Sequence, residues 1–186
     1  TEFAASAQMT FASKGYSTVI ANTDEDPEIQ AQVIDSMIEH GVSAFVISPT
    51  YGGDESPFER IERAGIPTMQ VLRQLDERTD LFPFASHDYA FGGEAATRHL
   101  INTGCQKIAF AGGLADRPIT LERMSGYRSV MQANGLAPTI FHGRPSRQFG
   151  REIALKILQE HEGLEAAICF SDLVALGMLS GFAELG

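Results

Sequence analysis

Two hydrophobic rhythms alternate along the chain: short apolar or β-branched runs, and longer stretches whose apolar residues recur every three or four positions and close on glycine. Phe3, Ala4, Ala7 and Phe11 stand at helical spacing, which predicts a helix over Phe3 to Lys14 with Gly15 as its left-handed end. The β-branched run from Tyr16 to Ala21 predicts a strand ending in the polar Asn22-Thr23-Asp24. Asp26-Pro27 is an N-cap followed by proline in the first turn, and Ile29, Val33, Ile34, Met37 and Ile38 then mark one helical face up to Gly41. Ala44 to Ile47 reads as the next strand, running into Ser48-Pro49-Thr50. Ser56-Pro57 caps a helix with Phe58 and Ile61 inward and Gly65 at its end, and Thr68 to Leu72 follows as a strand.

Residues 73 to 86 turn polar and then apolar, a change that predicts a crossover between two lobes, 1–84 and 85–186. In the second lobe Asp88 caps a helix running to Gly104, and Lys107 to Ala111 is a strand. Thr120 to Asn134 is a helix with Leu121, Met124, Tyr127, Val130 and Met131 inward. Thr139 to His142 is a strand, and Ser146 caps a helix that turns Phe149, Ile153, Ile157 and Leu158 inward. Ala166 to Phe170 is the last strand and Leu173 to Leu185 the last helix. About six strands and seven helices in alternation imply parallel sheets joined by right-handed crossovers, with helices on both faces. The fold class that follows is α/β, in two Rossmann-like lobes.

Composition narrows the function. A formal charge of −10 excludes a broad basic surface for nucleic acid on this chain. Cys105 and Cys169 stand far apart with no C-x-x-C spacing and read as reduced thiols, which points to the cytoplasm. No apolar run approaches 18 residues, so no membrane span is expected. The five histidines lack any metal-ligand spacing, and no cofactor motif is complete: Ala111 to Asp116 comes nearest to a glycine fingerprint but lacks its third glycine. Nucleophile-elbow and phosphate-loop signatures are also missing, which disfavours an α/β enzyme.

Parallel strands bring their carboxyl ends to one edge of each sheet, where ligands of open α/β folds bind. That edge collects Asn22-Thr23-Asp24, Ser48-Pro49-Thr50, Arg73, Gly112 to Arg117, His142-Gly143-Arg144 and Ser171-Asp172. Each of these residues also has a plain structural use. Ser171-Asp172 can cap the last helix, Arg117 can be an exposed loop residue, and Arg123 can pair with Glu122 or Asp116 at the surface. From the residues alone both uses stay open.

An ordered set of short motifs adds a resemblance. Lys14-Gly-Tyr16 with Ala21 to Asp26, Gly65-Ile-Pro67, Asp88-Tyr-Ala-Phe-Gly-Gly93, and His99 to Gly104 with Lys107 to Gly113 occur in order. Arg123-Met-Ser-Gly-Tyr127 and Ser171-Asp-Leu-Val-Ala-Leu-Gly177 complete the series. Together they resemble the effector-binding domain of the lactose-repressor (LacI/GalR) family of bacterial transcription regulators, over essentially the whole chain. The resemblance implies a periplasmic-binding-protein-like type I fold, truncated at both ends relative to the family. Its inter-lobe cleft would take a small sugar, nucleoside or related metabolite. It further implies a homodimer that reaches operator DNA through a helix-turn-helix absent from this sequence, and no catalysis.

By position, Arg123 stands for the family's effector-contacting arginine and Ser171 for an asparagine of similar use, beside Asp172. Arg117, Ile119 and the Arg144 to Phe149 loop match pocket-lining positions, Phe3 matches a first-helix position near the cleft, and Ser48 lies at a strand end. Leu72 stands where the family commonly has an aspartate, which leaves the ligand class open. The rival within the same fold is a periplasmic sugar-binding protein of a transporter.

Overall fold

The computed structural model describes residues 2–161 and 163–184. They divide into two compact units, 1–86 and 87–186, each built on a three-stranded parallel sheet. The end of the expected last helix, at Leu185, and Gly186 lie outside the described residues.

In the first unit, α1 (Glu2–Ser13) is followed by α2 (Pro27–Glu39), β1 (Phe45–Ile47), α3 (Ser56–Ala64), β2 (Thr68–Val71) and β3 (Phe84–Ala85). The sheet order is β1-β2-β3, with Phe45 opposite Thr68 and Gln70 opposite Phe84. Alternation along β1 sends Phe45 and Ile47 to one face, where Ile34 of α2, Phe58 and Ile61 of α3, and Phe82 close a core. The opposite face stays open among the described residues: Val46 is 43% and Met69 38% exposed, and α1 buries none of its residues. Helices therefore cover one face of this sheet rather than two.

The run Tyr16 to Ala21 forms no strand. It has no ladder partner among the described residues, and its Val19 and Ile20 are exposed. A β-branched run has strand propensity, but a strand exists only where a neighbour takes its N–H and C=O groups. Ser56 is likewise the first residue of α3 rather than its cap. Glu55 caps by position without a side-chain bond, and the Ser56 N–H donates to Asp54 Oδ1 at 3.0 Å.

The second unit is wound on both faces. It comprises α4 (Tyr89–Asn102), β4 (Ile108–Ala111), α5 (Pro118–Ala133), β5 (Thr139–Phe141), α6 (Arg147–Glu160), β6 (Ala166–Cys169) and α7 (Asp172–Ala183). The strand order β5-β4-β6 makes β4 central, and all four of its residues are buried. Ile108 and Phe110 face Met124, Tyr127 and Met131 of α5, while Ala109 and Ala111 face Ile153, Ala154 and Ile157 of α6 and Val174 and Met178 of α7.

The helix pairs meet at glycines. A Cβ on Gly93 of α4 would fall 2.1 Å from the Arg123 carbonyl oxygen, and one on Gly126 of α5 2.0 Å from that of Ala90. Gly150 and Gly177 serve α6 and α7 in the same way. Two helix faces correct the sequence reading: Leu121 and Leu158 point outward, at 46% and 52% exposed, and the inward positions belong to Thr120 and Ala154. Both misplaced leucines lie one residue beside the stripe, where apolar identity misleads and packing geometry decides.

Candidate functional site

In the second unit the carboxyl ends of three adjacent strands form one edge. The Gly112 N–H donates to Phe141 O at 2.8 Å, the Gly143 N–H to Gly113 O at 3.1 Å, and the Phe170 N–H to Ala111 O at 2.8 Å. These bonds stitch the three strand-end loops together, with His142 Nδ1 3.4 Å from Gly113 O. Gly112 and Gly113 hold φ values of 101° and 81°, a region open to glycine and strained for other residues. A Cβ on Gly113 would also lie 2.6 Å from Thr120 Oγ1 and 2.8 Å from the Phe170 ring. The glycine pair thus lets the loop pack directly on Thr120 and Phe170.

Helix α5 delivers Arg123 to this edge. The peptide carrying Pro118 supplies the first turn, and Tyr127 locks the helix to the sheet one turn beyond Arg123. The Tyr127 hydroxyl donates to Ile108 O at 2.8 Å and accepts from the Thr139 N–H at 2.9 Å. Arg123 Nη1 donates to Phe170 O, and its guanidinium lies 4.9 Å from the centroids of both the Tyr89 and Phe170 rings. An arginine stacked on two rings has its fork fixed, which lowers the entropy lost when it binds a ligand oxygen. The surface ion pair open to Arg123 in the sequence is not formed: no carboxylate of the described residues lies within ion-pair distance.

Ser171 caps α7 by its backbone position, but its side chain makes no capping bond. Its Oγ is buried without a hydrogen-bond partner among the described residues, as is Oγ1 of Thr120, a residue only 1% exposed. Buried hydroxyls are normally bonded, so two beside one arginine mark a place suited to a polar ligand. Asp172 is exposed in the first turn of α7, where its charge suits the helix dipole. Arg117 is the N-cap of α5 by its backbone position, with no capping bond from its side chain, and pairs with Asp116 at 3.8 Å, and Ile119 is half-buried in the same first turn. Phe149, positioned by the Ser146 cap of α6, packs its ring against Gly143 and the core.

Ser48 and Phe3 belong to the first unit. Phe3 is exposed on α1, while Ser48 Oγ is buried at the end of β1 without a hydrogen-bond partner among the described residues. Gln30 bridges that strand end, donating to Ser48 O and accepting from the Thr50 N–H, both at 3.1 Å. At the end of β2, Arg73 makes a two-pronged bond to Glu25 at 2.5 and 2.6 Å and stacks 4.4 Å from the Tyr51 centroid. Asp24, Glu25 and Leu72 all hold positive φ here, at 48°, 63° and 65°. Non-glycine residues in that region store of order 1–3 kcal/mol each.

Sequence reasoning missed Thr120, Tyr89, Glu25 and Tyr51. Tyr89 carried a signal, since it follows the Asp88 cap and must start at a strand-end loop; Thr120 read only as a helix start. Cys169 offers no nucleophile: burial pushes its thiol up, and Sγ lies 3.5 Å from Met178 Sδ. No three His, Cys, Asp or Glu side chains of the described residues gather as a metal site. Two surface grooves lie elsewhere in the unit. One follows the outer face of α5 at Ser125, Arg128 and Ser129, and a smaller one lies at the amino end of the sheet near Lys107 and His161. Both are shallow, and neither holds the buried unpaired hydroxyls that mark the carboxyl edge.

Comparison with known proteins gives a family. Residues 1–186 match the profile of periplasmic binding proteins and the sugar binding domain of the LacI family. The ribose operon repressor of Halalkalibacterium halodurans is 23% identical over 92% of this chain and 50% of its own length. The arabinose ABC transporter's periplasmic binding protein from Shewanella sp. ANA-3, solved with arabinofuranose, superposes with a TM-score of 0.87 at 24% identity, over 100% of this chain and 64% of that one. The Cra regulator of Pseudomonas putida, solved with fructose 1-phosphate, gives 0.83 at 18%, over 95% and 66%. The chain spans about half the length of the curated relatives it matches. No helix among the described residues is long and apolar enough to cross a membrane.

Proposed function

Because this chain belongs to the family of periplasmic binding proteins and LacI-type sugar-binding domains, we propose that it is the effector-sensing part of a bacterial transcription regulator. It binds a small sugar or related metabolite and performs no catalysis. The observation that carries the reading is the carboxyl edge of the second unit. There Arg123 is stacked on Tyr89 and Phe170, beside the hydroxyls of Thr120 and Ser171, which have no partner among the described residues.

Such an edge recognises oxygen-rich ligands. The arginine and hydroxyls meet ligand oxygens, and the rings of Phe170 and Phe149 meet the apolar face of a sugar. Arg117, Ile119 and Asp172 flank it, and Ser48 and Phe3 are proposed contacts from the first unit. The regulator is a cytoplasmic homodimer, and operator contact falls to regions of its relatives that this sequence does not cover. Ligand binding shifts the dimer between states of different operator affinity, by an amount set by its differential affinity for those states.

A thermal-shift screen of the full chain against sugars and nucleosides tests the binding half of the proposal. At least one ligand should raise the melting temperature in wild type and not in Arg123→Ala; a flat screen contradicts it. The periplasmic receptor is the second reading, favoured by the 0.87 superposition. Operator-binding assays on the complete protein separate the two, since a receptor's ligand leaves DNA affinity unchanged.

A further inference from the structure

The charge of this chain is distributed unevenly. Of its 14 basic and 24 acidic residues, the first unit holds five basic and 14 acidic, and the second unit nine and 10, giving −9 and −1. Within the second unit the carboxyl edge gathers arginines: Arg117 and Arg123 at the start of α5, Arg144 in the loop after β5, and Arg147 at the start of α6. Arg117 sits against Asp116. Arg123, Arg144 and Arg147 have no carboxylate within 4.0 Å among the described residues, although six other arginines and one lysine of the chain do have one.

The acceptors that hold a neutral sugar's hydroxyl groups are scarce at the same edge. Its carboxylates are Asp116, which faces Arg117, and the exposed Asp172 in the first turn of α7. The Arg123 fork can only donate, and the Thr120 and Ser171 hydroxyls, which can donate or accept, are buried with no partner among the described residues. Helices α5, α6 and α7 also begin at this edge, and their first N–H groups favour negative charge.

Resting on the sensor reading above, we infer that the ligand is anionic: a sugar derivative carrying a phosphate ester or a carboxylate, with its charged group on the arginines of the second unit. A planar guanidinium fork suits either oxyanion, so the shared chemistry is the anionic oxygen group.

Calorimetry on the full chain tests this with matched pairs: fructose against fructose 1-phosphate, glucose against glucose 6-phosphate and against gluconate, with inorganic phosphate alone as a further arm. One anionic member should bind at least about tenfold more tightly than its neutral parent, and raising salt from 50 to 200 mM should erode that preference. Which pair responds separates ester from carboxylate. In the double variant Arg144→Gln/Arg147→Gln, shown folded by circular dichroism, the ratio of anionic to neutral affinity should fall several-fold. A neutral sugar binding as tightly as its anionic partner overturns the inference while leaving the sensor reading intact. Binding of no sugar in either form overturns both, and inorganic phosphate binding as tightly as the ester overturns the sugar-derivative assignment.

Discussion

Replacing Tyr127 with phenylalanine isolates the hydroxyl bonds that fasten α5 to the sheet. The ring is fully buried against Phe110, with centroids 5.8 Å apart, and the substitution keeps it. What disappears is the hydroxyl that donates to Ile108 O and accepts from the Thr139 N–H. Burial pushes the phenol's pKa up, so it remains a donor across the usable pH range. Each orphaned buried group costs about 1–3 kcal/mol. Ile108 is buried, so its carbonyl loses most, whereas half-exposed Thr139 can turn to water. The loss should therefore come to about 2 kcal/mol in total.

Urea unfolding of wild type and Tyr127→Phe, followed by far-ultraviolet circular dichroism, measures it. With a slope of about 2 kcal/mol per molar, the midpoint should fall by about 1 M. Ligand affinity should change little, because the ring still wedges α5 against β4. A midpoint shift below about 0.2 M, or a collapse of binding at unchanged stability, would refute the anchoring role.

Other changes test other links. Arg123→Ala removes charge-assisted bonds worth about 1.5–3 kcal/mol each, so calorimetry should find ligand affinity lowered by about one to two orders of magnitude. Its melting temperature should also fall by a few degrees, because the bond to Phe170 O and both ring contacts are lost. Gly126→Ala drives a methyl into the Ala90 carbonyl, 2.0 Å from an ideal Cβ; parting α4 from α5 should cost about 3 kcal/mol or more and show as early thermal unfolding. Ser146→Ala removes the bond from the Phe149 N–H, 3.1 Å long, and should lower stability by about 1 kcal/mol. Asp76 is held below its ordinary carboxylate value, chiefly by the Arg78 side chain. Its contribution should be complete above the unfolded value of about 3.9 and fade as pH falls toward the folded one. Melting curves between pH 5 and 3 should therefore drop more steeply for wild type than for Asp76→Asn.

Much of the second unit was legible because its signals agree. Asp88, Ser146 and the central strand Ile108 to Ala111 combine cap, period and burial, and the structure places each where the pattern does. Tyr16 to Ala21 shows the limit. Its composition suits a strand, but pairing is a property of neighbours and leaves no mark on the run itself. Ser171 shows a second limit. A serine before an apolar helix reads as a cap, yet its side chain makes no capping bond. At Arg123 spacing offered two uses, and only the three-dimensional neighbours Tyr89 and Phe170, 34 residues before and 47 after it in the sequence, decide against the surface pair.

The central claim is that the carboxyl edge of the second unit holds the ligand. A crystal structure of the full chain with the tightest ligand from the screen tests it directly. Ligand oxygens within about 3 Å of the Arg123 guanidinium, with Thr120 Oγ1 or Ser171 Oγ also bonded, are the predicted result. A ligand seated at the amino end of the sheet beside Lys107 and His161, with Arg123 untouched, would contradict it.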